Sequence, residues 1–188
     1  CEDSEAQEEL SNLAATLSLT DADTKMVREG VLAPKLDLKL AEALRSNDLS
    51  DLKDWISSVD CPENLVKDKY VRAYTDKLRM SEAIPSPERT EELARLQASL
   101  ELTDDDVYPA QLDQYLPLYR KSDLEAMGAS GGGIVNEEYK EGLAKLQSRL
   151  NLKDDDCTRA FTEAAKQRLK PLVDDTISAF EEATMTPA

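Results

Sequence analysis

A leucine motif that occurs three times constrains the fold of this 188-residue chain more than any other feature. Each copy has four leucines at the same spacing, followed by a polar residue and two aspartates. The copies span residues 10–23, 93–106 and 143–156. Leucines three and then four residues apart form a stripe along one face of a helix. The motif therefore predicts an amphipathic helix that must pack against a neighbouring element.

The end of each copy predicts the start of a second helix. Thr20 and Asp23 have the spacing of a capping box, in which side chains and backbone N–H groups bond reciprocally at a helix start. The second copy has the same spacing, whereas Lys153 replaces the threonine in the third, where Asp154 is the expected cap. Each copy therefore encodes a helix, a tight connection and a second helix.

The rest of the chain is also predicted to be helical. Apolar residues recur at helical spacing over residues 36–44, 49–59, 64–83, 111–127, 136–150 and 154–183. Breaks are expected at prolines, including kinks at Pro117 and Pro171, and residues 128–133 are expected to form a flexible glycine-rich loop. We predict an all-α fold over residues 1–188: a single, elongated array of antiparallel helical hairpins, as in a HEAT-like α-solenoid. The offsets between copies, 83 and 50 residues, are irregular for such an array.

Composition excludes several classes of function. The chain has 39 acidic and 23 basic residues, a formal net charge of −16, and no histidine. Histidine-dependent catalysis and histidine-ligated metals are therefore excluded. A nucleic-acid partner is not expected, because binding the phosphate backbone needs clustered Lys and Arg. No run approaches the roughly 20 apolar residues of a membrane span. We expect no enzyme activity, no cofactor and no metal site; the aspartate triplets at 104–106 and 154–156 lack the glycine of a calcium loop.

Three tyrosines are candidate partner-binding residues. Tyr108, Tyr115 and Tyr119 fall on about one face of a predicted helix. Packing in the core is one interpretation of this pattern. An exposed aromatic stripe that binds a partner peptide is the alternative.

Cys61 and Cys157 are candidate redox residues. Cys61 precedes a predicted helix start, where the helix dipole favours the thiolate, although Asp60 and Glu63 oppose this effect. Cys157 lies at the spacing of a hydrophobic staple with Leu152, so we expect it to be buried and to react more slowly than Cys61.

The repeated motif Leu-x-x-Leu-x-x-x-Leu-x-Leu-Thr/Lys-Asp-x-Asp resembles the large stromal scaffold subunit of the chloroplast inner-envelope translocon, the TIC complex. The resemblance implies a helical-repeat protein on the stromal side of that membrane. It also implies docking of precursor proteins, stromal chaperones and other translocon subunits, and thiol-dependent regulation. The family has membrane segments that this chain lacks, so membrane contact would occur only through parts outside the chain.

The acidity of the chain agrees with that expectation. Transit peptides are rich in Arg and poor in acidic residues, and a surface of charge −16 would steer such a basic segment. A second interpretation stays open at this point, because the chain begins with Cys1. A lipoprotein also begins with cysteine, so the chain could instead be an acidic helical binding protein with a lipid anchor on Cys1.

Overall fold

The computed structural model describes residues 12–13, 15–80, 84–129 and 137–185. Seven helices have both ends in this part of the chain: α1 (Asp21–Ser46), α2 (Ser50–Ser58), α3 (Glu63–Arg79), α4 (Pro87–Ser99), α5 (Asp104–Ala129), α6 (Glu137–Leu150) and α7 (Asp154–Met185). The residues described before α1 include helical ones at 12–13 and 15–16. The described residues contain no strand, which confirms the predicted all-α class.

The helices are longer than the proline positions predict. Pro34 lies inside α1, Pro109 and Pro117 inside α5, and Pro171 inside α7. α5 therefore begins at Asp104 rather than near residue 111. The helix also includes Gly128, so the loop predicted over 128–133 does not begin at 128; residues 130–133 lie outside the described part.

The leucine motif ends each short helix in a turn with a left-handed residue. In the second copy Glu101 has a φ of 55°, and the Leu102 N–H donates to the Gln97 carbonyl at 3.1 Å. This bond across six residues defines a Schellman motif, which satisfies the free carbonyls of a helix end. The third copy repeats the geometry, with Asn151 at a φ of 51°.

A fourth copy of the same turn lies between α2 and α3. Asp60 has a φ of 47°, and the Cys61 N–H donates to the Ile56 carbonyl at 3.1 Å. The four motif positions are filled here by Leu52, Trp55, Val59 and Cys61. Since only one of the four is leucine, the copy is not evident from sequence.

The fourth copy makes the repeat nearly regular. The long helices α1, α3, α5 and α7 begin at positions 21, 63, 104 and 154. Their starts are therefore spaced by roughly 40 residues twice and then by roughly 50 residues, close to the interval of about 40–47 residues that is typical of repeats made of helix pairs. Much of the extra length in the last interval lies in α5, which has 26 residues where α3 has 17.

The chain divides into two compact units, Cys1–Ala73 and Tyr74–Ala188. In the first unit the core includes buried leucines of α1 and α2, Leu36 and Leu52 among them. Arg28 of α1 donates to the carbonyls of Val59 and Asp60 at 3.0 and 2.7 Å, which fixes the turn after α2 to α1.

In the second unit the two leucine copies form equivalent parts of the core. Leu100 and Leu150 are each 1% exposed, and the leucines two residues later are buried as well. Gln97 and Gln147 occupy the same position in their copies. Each amide donates to the first aspartate of the helix that follows, Asp104 or Asp154. The two copies therefore share the same buried leucines and the same Gln–Asp hydrogen bond, in addition to their similar sequences.

The long helices can be compared position by position. We count from the residue before each helix: Thr20, Pro62, Thr103 and Lys153. Position 16 is then occupied by Leu36, Leu78, Tyr119 and Leu169. The first three are buried, whereas Leu169 is half exposed.

Candidate functional site

Tyr108 joins the first turns of α5 and α7. Its hydroxyl donates to Asp156 Oδ2 at 2.6 Å and accepts from the Lys153 backbone N–H at 3.0 Å. The Lys153 ammonium lies 4.3 Å from the centre of the tyrosine ring, a cation–π contact. The Tyr108 hydroxyl thus stands between the cap N–H and the third-residue carboxylate of α7.

The starts of α1 and α5 are each capped by the threonine before the helix and the aspartate at its third position. At α1 the predicted capping box is confirmed, because Thr20 and Asp23 bond reciprocally. At α5 the Asp106 carboxylate accepts directly from the Thr103 backbone N–H at 3.0 Å. The cap expected at Asp154 of α7 is not the one observed, since its carboxylate accepts instead from the Gln147 side chain.

The junction of α5 and α7 carries four exposed carboxylates, which we call the acidic edge: Asp104, Asp105, Asp154 and Asp155. Lys153 lies among them, with its Nζ 3.7 Å from Asp105 Oδ1. Each aspartate also stabilises a helix start, since negative charge is favourable at the positive end of the helix dipole. In the described part of the chain, no three acidic or cysteine side chains form a cluster that could hold a metal ion.

The three tyrosines do not form an exposed stripe. Tyr115 and Tyr119 are buried, each 6% exposed, and Tyr108 is half-buried in the contacts above. The rings pack in the interior because α5 is covered by both α6 and α7. The aromatic partner-binding surface considered from the sequence is therefore corrected to core packing.

Asp123 is the group that sequence reasoning missed. It is fully buried in α5, and among the described residues neither of its carboxyl oxygens has a hydrogen-bond partner. Burial raises the pKa of this carboxyl from 3.8 to about 6. Leu40 fills the equivalent position 20 in α1, so a carboxyl in a leucine position was the signal that could have revealed it.

Tyr119 and Cys157 complete a buried polar cluster with Asp123. Tyr119 lies one turn before Asp123 on α5, and its hydroxyl lies close to the Cys157 thiol of α7. Burial raises the pKa of the Tyr119 hydroxyl and raises that of the Cys157 thiol to about 11. Both groups are therefore neutral at physiological pH, and Cys157 occupies the buried staple position predicted for it.

The burial of Cys61 and the pKa of its thiol differ from what the sequence predicts. It is 8% exposed, and burial raises the pKa of its thiol, with Arg28 opposing and Asp60 adding to the shift. The thiolate expected from the helix dipole is therefore not favoured. Within the described part of the chain, Cys61 and Cys157 are both free and buried. Redox activity of either residue, and the order in which they react, stay predictions.

A shallow cleft of about 200 Å³ lies along α5 and α7, lined by Leu116, Arg120, Arg159, Ala160 and Glu163. Its charged groups pair with neighbours: Arg159 with Asp156 at 2.5 Å, and Arg120 with Glu163 at 3.9 Å. The cleft is amphipathic, and its guanidinium groups are already engaged within the protein.

Comparison of the chain with protein-family models, with curated proteins and with solved structures gives no match in any of the three. Among the described helices, none is long and apolar enough to cross a membrane.

Proposed function

We propose that this protein is a non-enzymatic helical-repeat scaffold that binds basic, extended protein segments along its acidic edge. The observation that carries the proposal is the Tyr108 bridge, because it holds two acidic helix starts side by side. Four exposed carboxylates then face solvent from adjacent helices. Such an array suits a partner with several cations along an extended chain.

Physical chemistry supports a basic partner. A net charge of −16 attracts cationic segments over the range of the Debye length and raises their rate of encounter. Arg side chains bind carboxylates through two parallel hydrogen bonds, so an Arg-rich segment would be favoured over a Lys-rich one. The buried carboxyl of Asp123 is closed to solvent, which argues against its use in acid–base catalysis.

The sequence resemblance extends this proposal to a cellular role. We propose that the basic segments are transit peptides of precursor proteins, bound on the stromal side of the chloroplast inner envelope. Stromal chaperones and other translocon subunits are the further partners that the resemblance implies. Membrane attachment would be supplied by parts outside the chain.

We also propose that the helical hairpins stack as a HEAT-like α-solenoid. The nearly regular spacing of the long-helix starts, roughly 40 to roughly 50 residues, supports this arrangement. A compact globule of this length would have a radius of gyration of about 16 Å. Small-angle scattering of the monomer should give a value on the order of 20 Å or more. A measured radius no larger than the compact value would contradict the solenoid.

Binding of a fluorescent Arg-rich peptide, followed by anisotropy, tests the function. We expect affinity to fall between about 0.01 and 0.15 M NaCl, because the Debye length shortens from about 30 to 8 Å. The double variant Asp105→Asn/Asp155→Asn should bind about three- to tenfold more weakly at low salt, since it loses two charges of the acidic edge.

The matched control is Glu137→Gln/Glu138→Gln, which removes two exposed charges from the first turn of α6. This variant has the same net charge as the test variant, so an equal loss of affinity would point to global charge and contradict a specific acidic edge. Affinity that is indifferent to salt would contradict electrostatic recruitment altogether. Circular dichroism verifies that both variants remain folded.

A further inference from the structure

The last long helix exposes a stripe of apolar residues, and two of its positions, 16 and 20, are buried in α1 and α5. Leu169, Leu172, Val173 and Ile177 lie within one face of α7 and are 51–61% exposed; we call them the α7 stripe. The residues equivalent to Leu169 in the three other long helices are all buried. The comparison therefore indicates that this face of a long helix normally packs against a neighbouring helix.

The first long helix exposes apolar residues at positions that are buried in α7. Val27 and Val31 of α1 are 60% and 55% exposed, and we call this pair the α1 face. They occupy positions 7 and 11 of the repeat. The equivalent residues of α7 are Ala160 and Ala164, which are 4% and 0% exposed.

The contact of α5 with α7 shows how two such surfaces fit. Within this contact Tyr119, at position 16 of α5, lies close to Cys157 near the start of α7. Ala160 lies beside Leu116 and Arg120 of α5 at the shared cleft. The later half of one long helix thus meets the first half of the next. The α7 stripe and the α1 face occupy positions equivalent to the two sides of this interface.

We propose that two copies of the chain associate head to tail, with the α1 face of one copy packed on the α7 stripe of the other in the manner of α7 on α5. Side-chain volumes support the pairing: the large Tyr119 ring faces a helix whose positions 7 and 11 are alanine, whereas the smaller Leu169 and Val173 would face valines. This proposal does not depend on peptide binding.

Local charge supports the same partner. Residues 166–170 of α7 include three basic residues and no acidic one; Lys170 pairs with Asp174 of the same helix, so Lys166 and Arg168 are the cations offered to a partner. The first turn of α1 carries Asp21 and Asp23. An acidic helix start close to this basic stretch is electrostatically complementary.

The contact is heterologous, because each copy contributes a different surface, so a dimer keeps one α1 face and one α7 stripe free. Sedimentation velocity of the full chain, from about 1 to 300 µM, should show an average mass that rises with concentration above the 20.9 kDa monomer. Val173→Glu and Val31→Glu should each weaken this association at least tenfold, because each places a charge in the apolar contact.

Mixing the two variants gives the decisive measurement. Each variant keeps the surface that the other has lost, so an equimolar mixture should form a heterodimer and nothing larger. Met26→Glu is the matched control, since Met26 is 69% exposed on α1, about 100° around the helix from Val27, and the charge change is the same. It should associate like the wild type.

Three outcomes would overturn the proposal: a wild-type chain that is monomeric at every concentration, association that survives both variants, or a mixture that stays monomeric. Circular dichroism of each variant establishes that it is folded. The substituted valines are exposed, so folding is expected to be retained.

Discussion

Asp123 occupies a position that α1 fills with Leu40, and this difference makes it the most costly ionisable group described in the chain. Because its folded pKa of about 6 exceeds the ordinary value of 3.8, the folded state favours the protonated carboxyl. Its contribution to stability is therefore largest below pH 4, declines as pH rises from 4 to 6, and stays unfavourable above that. Tyr119 and Cys157, which face it from α5 and α7, are neutral throughout this range.

Replacing Asp123 with asparagine should stabilise the protein at pH 7, because the variant has no buried charge to form. The rise in the Asp123 pKa from 3.8 to about 6 corresponds to a gain of at most about 3 kcal/mol in the free energy of unfolding of the variant. Urea unfolding at pH 5 and pH 7 should also show that the wild type loses more stability with rising pH than the variant does. The absence of histidine simplifies this comparison.

Asp113→Asn is the control, since it removes an exposed carboxylate from the same helix. We expect its free energy of unfolding to stay within about 0.5 kcal/mol of wild type. If Asp123→Asn were destabilised at pH 7, the carboxylate would have to be satisfied in the folded state, and the argument from burial would be wrong.

At the scale of elements, sequence patterns predicted the helices better than their ends. The four-leucine stripe and the capping box are local signals, and the structure confirms both helix formation at 93–99 and the Thr20 cap. Prolines misled the prediction of α1 and α5, because a proline ring can be accommodated in a long helix whose packing compensates for one lost hydrogen bond.

The candidate site was less predictable, because its features depend on contacts between helices. The copy at Leu52–Cys61 was missed because the turn requires apolar side chains but not leucine in particular. The Tyr108 bridge joins residues 45 and 48 positions apart, and no local pattern encodes that contact. The burial of Asp123 likewise becomes evident only when the long helices are aligned with one another.

The bridge between α5 and α7 can be tested with Tyr108→Phe. The ring and its contact with the Lys153 ammonium remain, while both hydrogen bonds of the hydroxyl are lost. We expect a loss of about 1–2 kcal/mol in the free energy of unfolding, because water can replace part of the lost bonding at this half-buried site. Tyr139→Phe makes the same chemical change on an exposed ring of α6 and should lower stability by less than Tyr108→Phe. Equal effects in the two variants would show that the bridge is not a stabilising element.

At the scale of the whole molecule, charge opposes folding. The net charge of −16 gives a repulsion that the compact state increases. Many of the ion pairs are exposed pairs within one helix, such as Lys170 with Asp174 and Arg95 with Glu91. Pairs of this kind contribute about 0.3–0.5 kcal/mol each. We therefore expect long-range repulsion to exceed local attraction at neutral pH.

Salt should consequently stabilise the protein at pH 7. Raising NaCl from about 0.01 to 0.15 M screens the repulsion, and we expect Tm to rise by about 2–5 °C. The rise should vanish near the isoelectric point of about 4.4, where there is no net charge to screen. Hydrogen bonds from Thr20 to Asp23 and from Lys77 to Glu92 hold the pKa of both carboxyls below the ordinary value, so the stability from these contacts is lost as pH falls through those lowered pKa values. Calorimetry at both pH values, with dilute protein to limit association, measures the difference. A Tm at pH 7 that falls with added salt would show that local ion pairs outweigh the net charge.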